Sequence, residues 1–208
     1  MTKIDFKKEL DFLYKASVKR VDFVDVPEFN FIMIDGKGNP KTKPEFKEAI
    51  SLLYHVTYSI RNLPKNDFIP EGWFDYVVPP LEGLWWMEDK EFDVYKKEEW
   101  RWTMMIMQPE FVTPGLFEQV LTELKALKPN KDYSKLRLAS FHEGLSMQIM
   151  HIGPYKNIYL SKEKINSFLH EKGLIYNGKQ HELYFSDPQK TAPEKLKTLI
   201  RMPVCVKH

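Results

Sequence analysis

The segment QHELYFSDP, residues 180–188, places a carboxylate and a phenol within one strand-like pattern. Its aromatic and aliphatic residues, closed by an Asp-Pro pair, predict a β-strand. Because alternate side chains of a strand point to opposite faces, Glu182 and Tyr184 share one face, and His181 and Leu183 share the other. A carboxylate flanked by aromatic rings is partly desolvated, which raises its pKa and makes it a better general base. Glu182 is therefore our candidate catalytic base; the alternative is a solvated glutamate on an edge strand.

A second candidate carboxylate, Glu82, lies in the segment PLEGLWW, residues 80–86. It stands at the matching place in the first half of the chain. If both glutamates faced one cavity, one could remain ionised while the other was protonated. The alternative is a turn glutamate beside Gly83.

Four tryptophans are close together in the sequence, at positions 85, 86, 100 and 102. On adjacent strands such residues either stabilise a sheet through cross-strand pairs or line a ligand pocket. We expect Trp86 and Trp102 to lie in a pocket. Met104, in the same segment, is of a type found mostly in cores, although its flexible side chain also suits a site for varied ligands.

The composition excludes several classes of protein. The chain has 208 residues, 29% of them charged, and a formal net charge of +2, too small to predict binding to nucleic acid or to a membrane surface. The single cysteine, Cys205, excludes an internal disulfide and a cysteine-only zinc site. The six histidines show no HxxxH spacing, and no GxGxxG, Walker or GxSxG motif occurs, so we predict neither a metal nor a cofactor. Without an apolar signal region or an apolar stretch of about 20 residues, we expect a soluble cytoplasmic protein.

The predicted elements occur twice in the order strand, helix, strand, strand. The first set comprises a strand at 31–34, a helix from Pro44 to about Leu63, and strands at 81–87 and 100–109. The second comprises a strand at 145–152, a helix capped by Ser161, and strands at 181–186 and 196–203. A further helix, capped by Thr113, and a charged loop at 128–132 join the two sets. This order predicts an α+β protein with a single domain over 1–208, built from pseudo-repeat halves of about 21–128 and 133–208 with a ligand cleft between them.

Together these stretches resemble the stand-alone GyrI-like (gyrase-inhibitory-protein-like) small-molecule-binding proteins. The segments that carry the resemblance are LDFLY (10–14), VDVP (24–27), MIDGKG (33–38), PLEGLWW (80–86), WRWTMMIMQP (100–109), QIMHIGPY (148–155) and HELYFSDP through TAPEKLKT (181–198). The resemblance implies a tandem strand–helix–strand–strand (SHS2-type) fold with an antiparallel sheet and a central cleft, as in the effector-binding domains of multidrug-responsive regulators. It also implies that Glu182 is the pocket glutamate and that Tyr58, Trp86, Trp102 and Tyr155 are pocket aromatics.

Some proteins of this kind hydrolyse the cyclopropane ring of DNA-alkylating natural products. The resemblance therefore implies binding of planar or amphipathic small molecules, with Glu182 activating a water and Tyr155 or Tyr184 orienting that water or the substrate carbonyl. Two alternatives remain open: a protein that senses or sequesters such compounds without chemistry, and a protein that modulates gyrase. Direct binding to nucleic acid is not expected, and the oligomeric state is not predicted.

Overall fold

A computed structural model describes residues 3–89 and 92–207 of the chain. The described strands are β1 (Ile4–Asp5), β2 (Asp22–Lys37), β3 (Tyr76–Val77), β4 (Leu81–Trp86), β5 (Arg101–Gln108), β6 (Leu136–Ile152), β7 (Leu174–Tyr176), β8 (Gln180–Tyr184) and β9 (Lys197–Val206). The described helices are α1 (Phe6–Glu9), α2 (Asp11–Tyr14), α3 (Pro44–Arg61), α4 (Pro114–Leu127) and α5 (Ile158–Lys172).

The helix boundaries follow from local sequence, with one error in the prediction. Helix α3 starts at a proline, and α4 is capped by Thr113, whose side chain accepts a hydrogen bond from the Leu116 N–H as predicted. The predicted cap of α5 was wrong. That helix begins at Ile158, directly after a short 3-10 turn over Tyr155–Asn157, and Ser161 is buried inside it.

The main sheet is antiparallel and runs in the order β6-β2-β5-β4-β8-β9-β7. Strand β6 also pairs with β9, so the first six of these strands close on themselves; we call them the strand ring. The units β2-α3-β4-β5 and β6-α5-β8-β9 share one element order and one pairing pattern, and they meet where β4 pairs with β8 and β2 with β6. The predicted α+β fold with an antiparallel sheet is thus confirmed, although β6 begins nine residues before the predicted strand and β7 was not predicted.

The outer face of the strand ring is covered by helices. Helices α3 and α4 pack over β2 and β5 around Ile32, Trp102 and Ile106, and α5 packs over Met147 and Ile200. Burial of these apolar faces is the main force that holds the helices on the sheet. Within the described residues, no helix is both long and apolar enough to cross a bilayer.

The inner face of the strand ring is filled by side chains. Apolar residues such as Phe31, Met107 and Leu183 occupy most of it, and α2 packs Tyr14 against them. The remaining cavity is about 10 Å³, room for roughly one water molecule. This cavity, among the residues that the structure describes, is too small for a bulky ligand.

Candidate functional site

Glu182 lies on the outer face of β8, at the seam where β8 pairs with β4. Its cross-strand partner is Gly83. A Cβ atom on Gly83 would lie 3.0 Å from Trp85 Nε1 and 3.2 Å from the Tyr184 hydroxyl, closer than ordinary contact. The glycine thus leaves the space beside Glu182 to the polar groups of its neighbours.

A chain of hydrogen bonds fixes the Glu182 carboxylate. The Tyr184 hydroxyl donates to Oε2 at 3.0 Å, and Gln180 Nε2 donates to Oε1 at 2.7 Å. Trp85 Nε1 in turn donates to the Tyr184 oxygen at 2.9 Å. Since Tyr184 accepts from Trp85 and donates to Glu182, each group in this chain has a defined direction.

Burial raises the pKa values of both Glu182 and Tyr184. Desolvation raises the pKa of Glu182, while hydrogen bonds from Gln180 and Tyr184 and the positive charges of His181 and then Lys162 oppose the rise. Desolvation and the Glu182 charge raise the pKa of Tyr184 well above its ordinary value, so the phenol stays a neutral donor. A carboxylate with a raised pKa accepts a proton more readily than a solvent-exposed one, which suits general-base chemistry.

Tyrosines from both units lie near this carboxylate on the outer face of the sheet. The ring of Tyr155 lies edge-on to Tyr184 with centroids 5.8 Å apart. Burial raises the pKa of Tyr155, and the charges of Glu182 and Asp187 add to the rise; Tyr54, on α3, lies near enough to contribute as well. Tyr58 stacks on Tyr54 at 6.2 Å. Tyr155 is 38% exposed, so a planar ligand can reach its ring.

A second group of side chains comes from α5 and from the loop before β5. Lys162 Nζ lies 5.0 Å from the centroid of the Phe92 ring, a cation–π distance. Phe92 packs against Trp100 at 4.9 Å, and Trp100 packs against Trp85 at 5.7 Å. Aromatic rings and a positive charge therefore connect this group with the hydrogen-bonded chain around Glu182.

The structure brings together four of the eight residues predicted for the site. Glu182, Tyr184 and Tyr155 are neighbours, and Met104 lies beneath them, fully buried, with Sδ 3.1 Å from the position of a Gly83 Cβ. Tyr58 lies farther out: it stacks on Tyr54 and also lines a 340 Å³ groove between α3 and α4.

The structure does not place Glu82, Trp86 or Trp102 beside Glu182. Glu82 and Trp86 lie on the opposite, inner face, because Glu82 pairs with Leu183 rather than with Glu182. Trp102 is on the correct face but is 1% exposed, packed edge-on to Phe46 at 5.1 Å. The idea that both glutamates face one cavity is therefore wrong, and no ligand can contact Trp86 and Glu182 together without opening the sheet.

Instead of facing a ligand, Glu82 belongs to a buried ionic cluster inside the strand ring. His181 Nε2 lies 2.9 Å from Glu82 Oε2, at ion-pair distance although outside hydrogen-bond geometry, and His181 Nδ1 lies 3.0 Å from Glu143 Oε2. Arg201 Nη1 is also 3.0 Å from that Glu143 oxygen. Although burial opposes it, the two carboxylates raise the pKa of His181 to about 9, and the two cations hold the pKa of Glu143 below its ordinary value. In the chain that the structure describes, no group of three His, Cys, Asp or Glu side chains could hold a metal ion.

Seven residues of the site were not predicted as site residues from the sequence: Tyr54, Gly83, Trp85, Phe92, Trp100, Lys162 and Gln180. The period of two along β8 places Gln180 on the face of Glu182, so this residue could have been found from the same alternation. Gly83 and Trp85 require the register between β4 and β8, which sequence alone does not provide. Tyr54 and Lys162 come from two helices whose relative placement depends on the closed sheet.

The chain combines a paired strand–helix–strand–strand architecture with a buried carboxylate that lies among aromatic side chains. The model of the family described as GyrI-like small molecule binding domain matches residues 19–204, and the chain belongs to this family. No curated protein matches the chain.

Several solved structures are similar over nearly the whole chain. An uncharacterized conserved protein from Listeria innocua is 40% identical, with a TM-score of 0.92, over 98% of this chain and 100% of that chain. Two proteins described as hydrolases from the same organism are 37% and 38% identical, with TM-scores of 0.87 and 0.90 and the same coverage.

Proposed function

We propose that this protein binds bulky aromatic or amphipathic compounds in the cleft above Glu182 and hydrolyses the cyclopropane ring of DNA-alkylating molecules, which detoxifies them. The observation that carries the proposal is a buried carboxylate on the outer face of the sheet, with a raised pKa, oriented by two hydrogen bonds and close to a partly exposed tyrosine. The family description as small-molecule binding and the similarity to two proteins described as hydrolases support it.

In this reaction Glu182 takes a proton from a water whose oxygen attacks a CH₂ carbon of the strained ring. The C–C bond to that carbon breaks, and its electron pair moves into the conjugated carbonyl system of the substrate, whose oxygen takes up a proton. The net change is the addition of one water. A positioned general base of this kind contributes about 10²–10⁴-fold to the rate.

Tyr155 is the tyrosine that orients the water or the substrate carbonyl. Tyr184 already donates its only hydroxyl proton to Glu182, so it serves to hold the base. Tyr155 packs against Tyr184 and is partly exposed, and therefore its ring and hydroxyl face the space that a ligand would occupy. With a formal net charge of +2, the chain is not expected to contact nucleic acid directly.

One observation favours a second candidate function, sequestration or sensing without chemistry. Both oxygens of Glu182 already accept a hydrogen bond, from Gln180 and from Tyr184. A water must use a remaining lone pair of the carboxylate, of which there are about two. In the second candidate the carboxylate serves only to attract a cationic or donor group of the ligand.

Incubation with a cyclopropane-containing alkylating compound in H₂¹⁸O distinguishes hydrolysis from binding without chemistry. Mass spectrometry of the products and equilibrium binding of the intact compound are measured on the same protein. We expect a product with one added water that carries ¹⁸O. Tight binding with no such product would establish the second candidate, and absence of binding would overturn the ligand class itself.

A further inference from the structure

His151 is a buried imidazole close to the cleft that has no part in the proposed chemistry. It lies on β6 and is 6% exposed. Its Nδ1 is 2.9 Å from the Ser161 hydroxyl oxygen on α5, and its Nε2 is 3.4 Å from the Pro154 carbonyl oxygen. A neutral imidazole protonated on Nε2 suits both contacts, since it accepts from the hydroxyl and donates to the carbonyl. Burial lowers the pKa of His151, which favours this neutral form.

These contacts hold the backbone that leads into Tyr155. Gly153 has a φ of +137°, a conformation open to glycine, and its N–H donates to the Leu196 carbonyl at 2.9 Å. The Pro154 carbonyl accepts from the Asn157 N–H at 2.8 Å and from His151 at 3.4 Å, and it belongs to the peptide group that joins Pro154 to Tyr155. His151 therefore acts on the last peptide plane before the tyrosine.

The register of the sheet places His151 in one lateral row with Tyr184. Thr198 on β9 pairs with His151 on one side and with Tyr184 on the other. Paired residues of neighbouring strands point to the same face of the sheet. His151 thus contacts the peptide group before Tyr155, and Tyr184, in the same row, contacts the Tyr155 ring.

We propose that His151 is a positioning residue, which through the Pro154 carbonyl and Ser161 sets Tyr155 against Tyr184 and over Glu182. This inference deepens the proposed function and rests on it for its catalytic consequence, although the placement of Tyr155 can be tested without a ligand. It also gives a role to Ser161, the serine that was expected to cap a helix and is instead buried beside His151.

The placement of the Tyr155 ring is measured by NMR of protein labelled with ¹³C in its tyrosine rings. The Tyr155 signals are assigned from a Tyr155→Phe variant. In His151→Ala we expect these signals to move toward those of Tyr95, which is 91% exposed. The matched control, His170→Ala, removes an exposed imidazole from the end of α5 and should leave them unchanged. Unchanged Tyr155 signals in His151→Ala would overturn the proposal. If that variant does not fold, Ser161→Ala decides the same question, with a smaller movement expected.

The consequence for function is measured by a double-mutant cycle with Tyr155. In the wild-type background His151→Ala should lower kcat, or ligand affinity if no turnover occurs, by roughly tenfold, within the range found for coupled neighbours. In a Tyr155→Ala background, His151→Ala should lower kcat or affinity by less than about twofold, because the side chain that His151 positions is absent. Equal losses in both backgrounds would show a merely structural role. Absence of turnover in the wild type would refute the proposed hydrolysis but not the positioning of Tyr155, which the NMR signals decide separately.

Discussion

The buried ionic cluster inside the strand ring makes the stability of this protein depend on pH in a defined window. His181 is 1% exposed and is faced by Glu82, Glu143 and, through Glu143, by Arg201. Its pKa is raised from the ordinary 6.5 to about 9 in the folded protein. A group whose folded pKa is raised contributes stability that is fully present below its unfolded pKa and is lost as pH rises through the folded pKa.

The magnitude follows from the two pKa values. At about 1.4 kcal/mol per pH unit, the difference between 6.5 and about 9 corresponds to roughly 3 kcal/mol. We therefore expect the free energy of unfolding to fall by about that amount between pH 6.5 and pH 9.5. Glu143, whose pKa is lowered, has the opposite dependence: its contribution is present above the ordinary carboxylate pKa and is lost on acidification.

Urea unfolding at half-unit pH steps, followed by tryptophan fluorescence, measures this loss, provided the m-value stays constant. Glu82→Gln removes one of the two negative charges that hold the proton on His181, so the variant should be less stable at pH 7 and lose less stability between pH 7 and pH 9. Glu118→Gln, an exposed carboxylate on α4, is the matched control and should keep the wild-type slope. Wild-type stability that is constant from pH 6.5 to 9.5, or an unchanged slope in Glu82→Gln, would refute this reasoning.

Three further substitutions test individual contacts. Gly83→Ala introduces a methyl group against the hydroxyl of Tyr184, and should cost about 1–3 kcal/mol of stability and weaken ligand binding. Urea unfolding and ligand titration measure both effects, and wild-type affinity would contradict the proposed binding of the ligand beside Glu182. Tyr184→Phe removes a hydrogen bond that lowers the pKa of Glu182, so the acidic limb of the pH profile of kcat/KM should move to higher pH. If that limb does not move, it does not report the ionisation of Glu182. Gly36→Ala places Cβ 2.1 Å from ring carbons of Trp102. This clash should lower the free energy of unfolding by about 3 kcal/mol and Tm by about 6–12 °C. A Tm within about 2 °C of wild type would contradict the close packing.

The fold was largely predictable because its units have distinct local patterns. The helical spacing after Pro44 and the alternation of residues 100–109 gave α3 and β5, and the repeated order of elements gave the paired architecture. The first half of β6 and the start of α5 were missed. Residues 136–144 carry few strand-favouring apolar residues, and the turn at Tyr155 starts α5 before the serine that looked like its cap.

The site was less predictable, since it depends on pairing between distant strands. Alternation along β8 correctly separated Glu182 from His181, because one strand determines its own two faces. It could not reveal whether Gly83 or Glu82 stands opposite Glu182, and a shift of one residue in that register exchanges the faces of β4. Two of the expected pocket residues, Glu82 and Trp86, were misplaced for that single reason.

The central claim is that Glu182 activates water in the cleft, and single-turnover kinetics of Glu182→Gln test it most directly. Glutamine keeps the size of the side chain and can still accept from Tyr184, but it is not a base at any pH of interest. We expect the variant to bind a cyclopropane-containing alkylating compound within about tenfold of wild-type affinity and to form the water adduct about 10²–10⁴-fold more slowly. Adduct formation at the wild-type rate would contradict the role of Glu182 as the base.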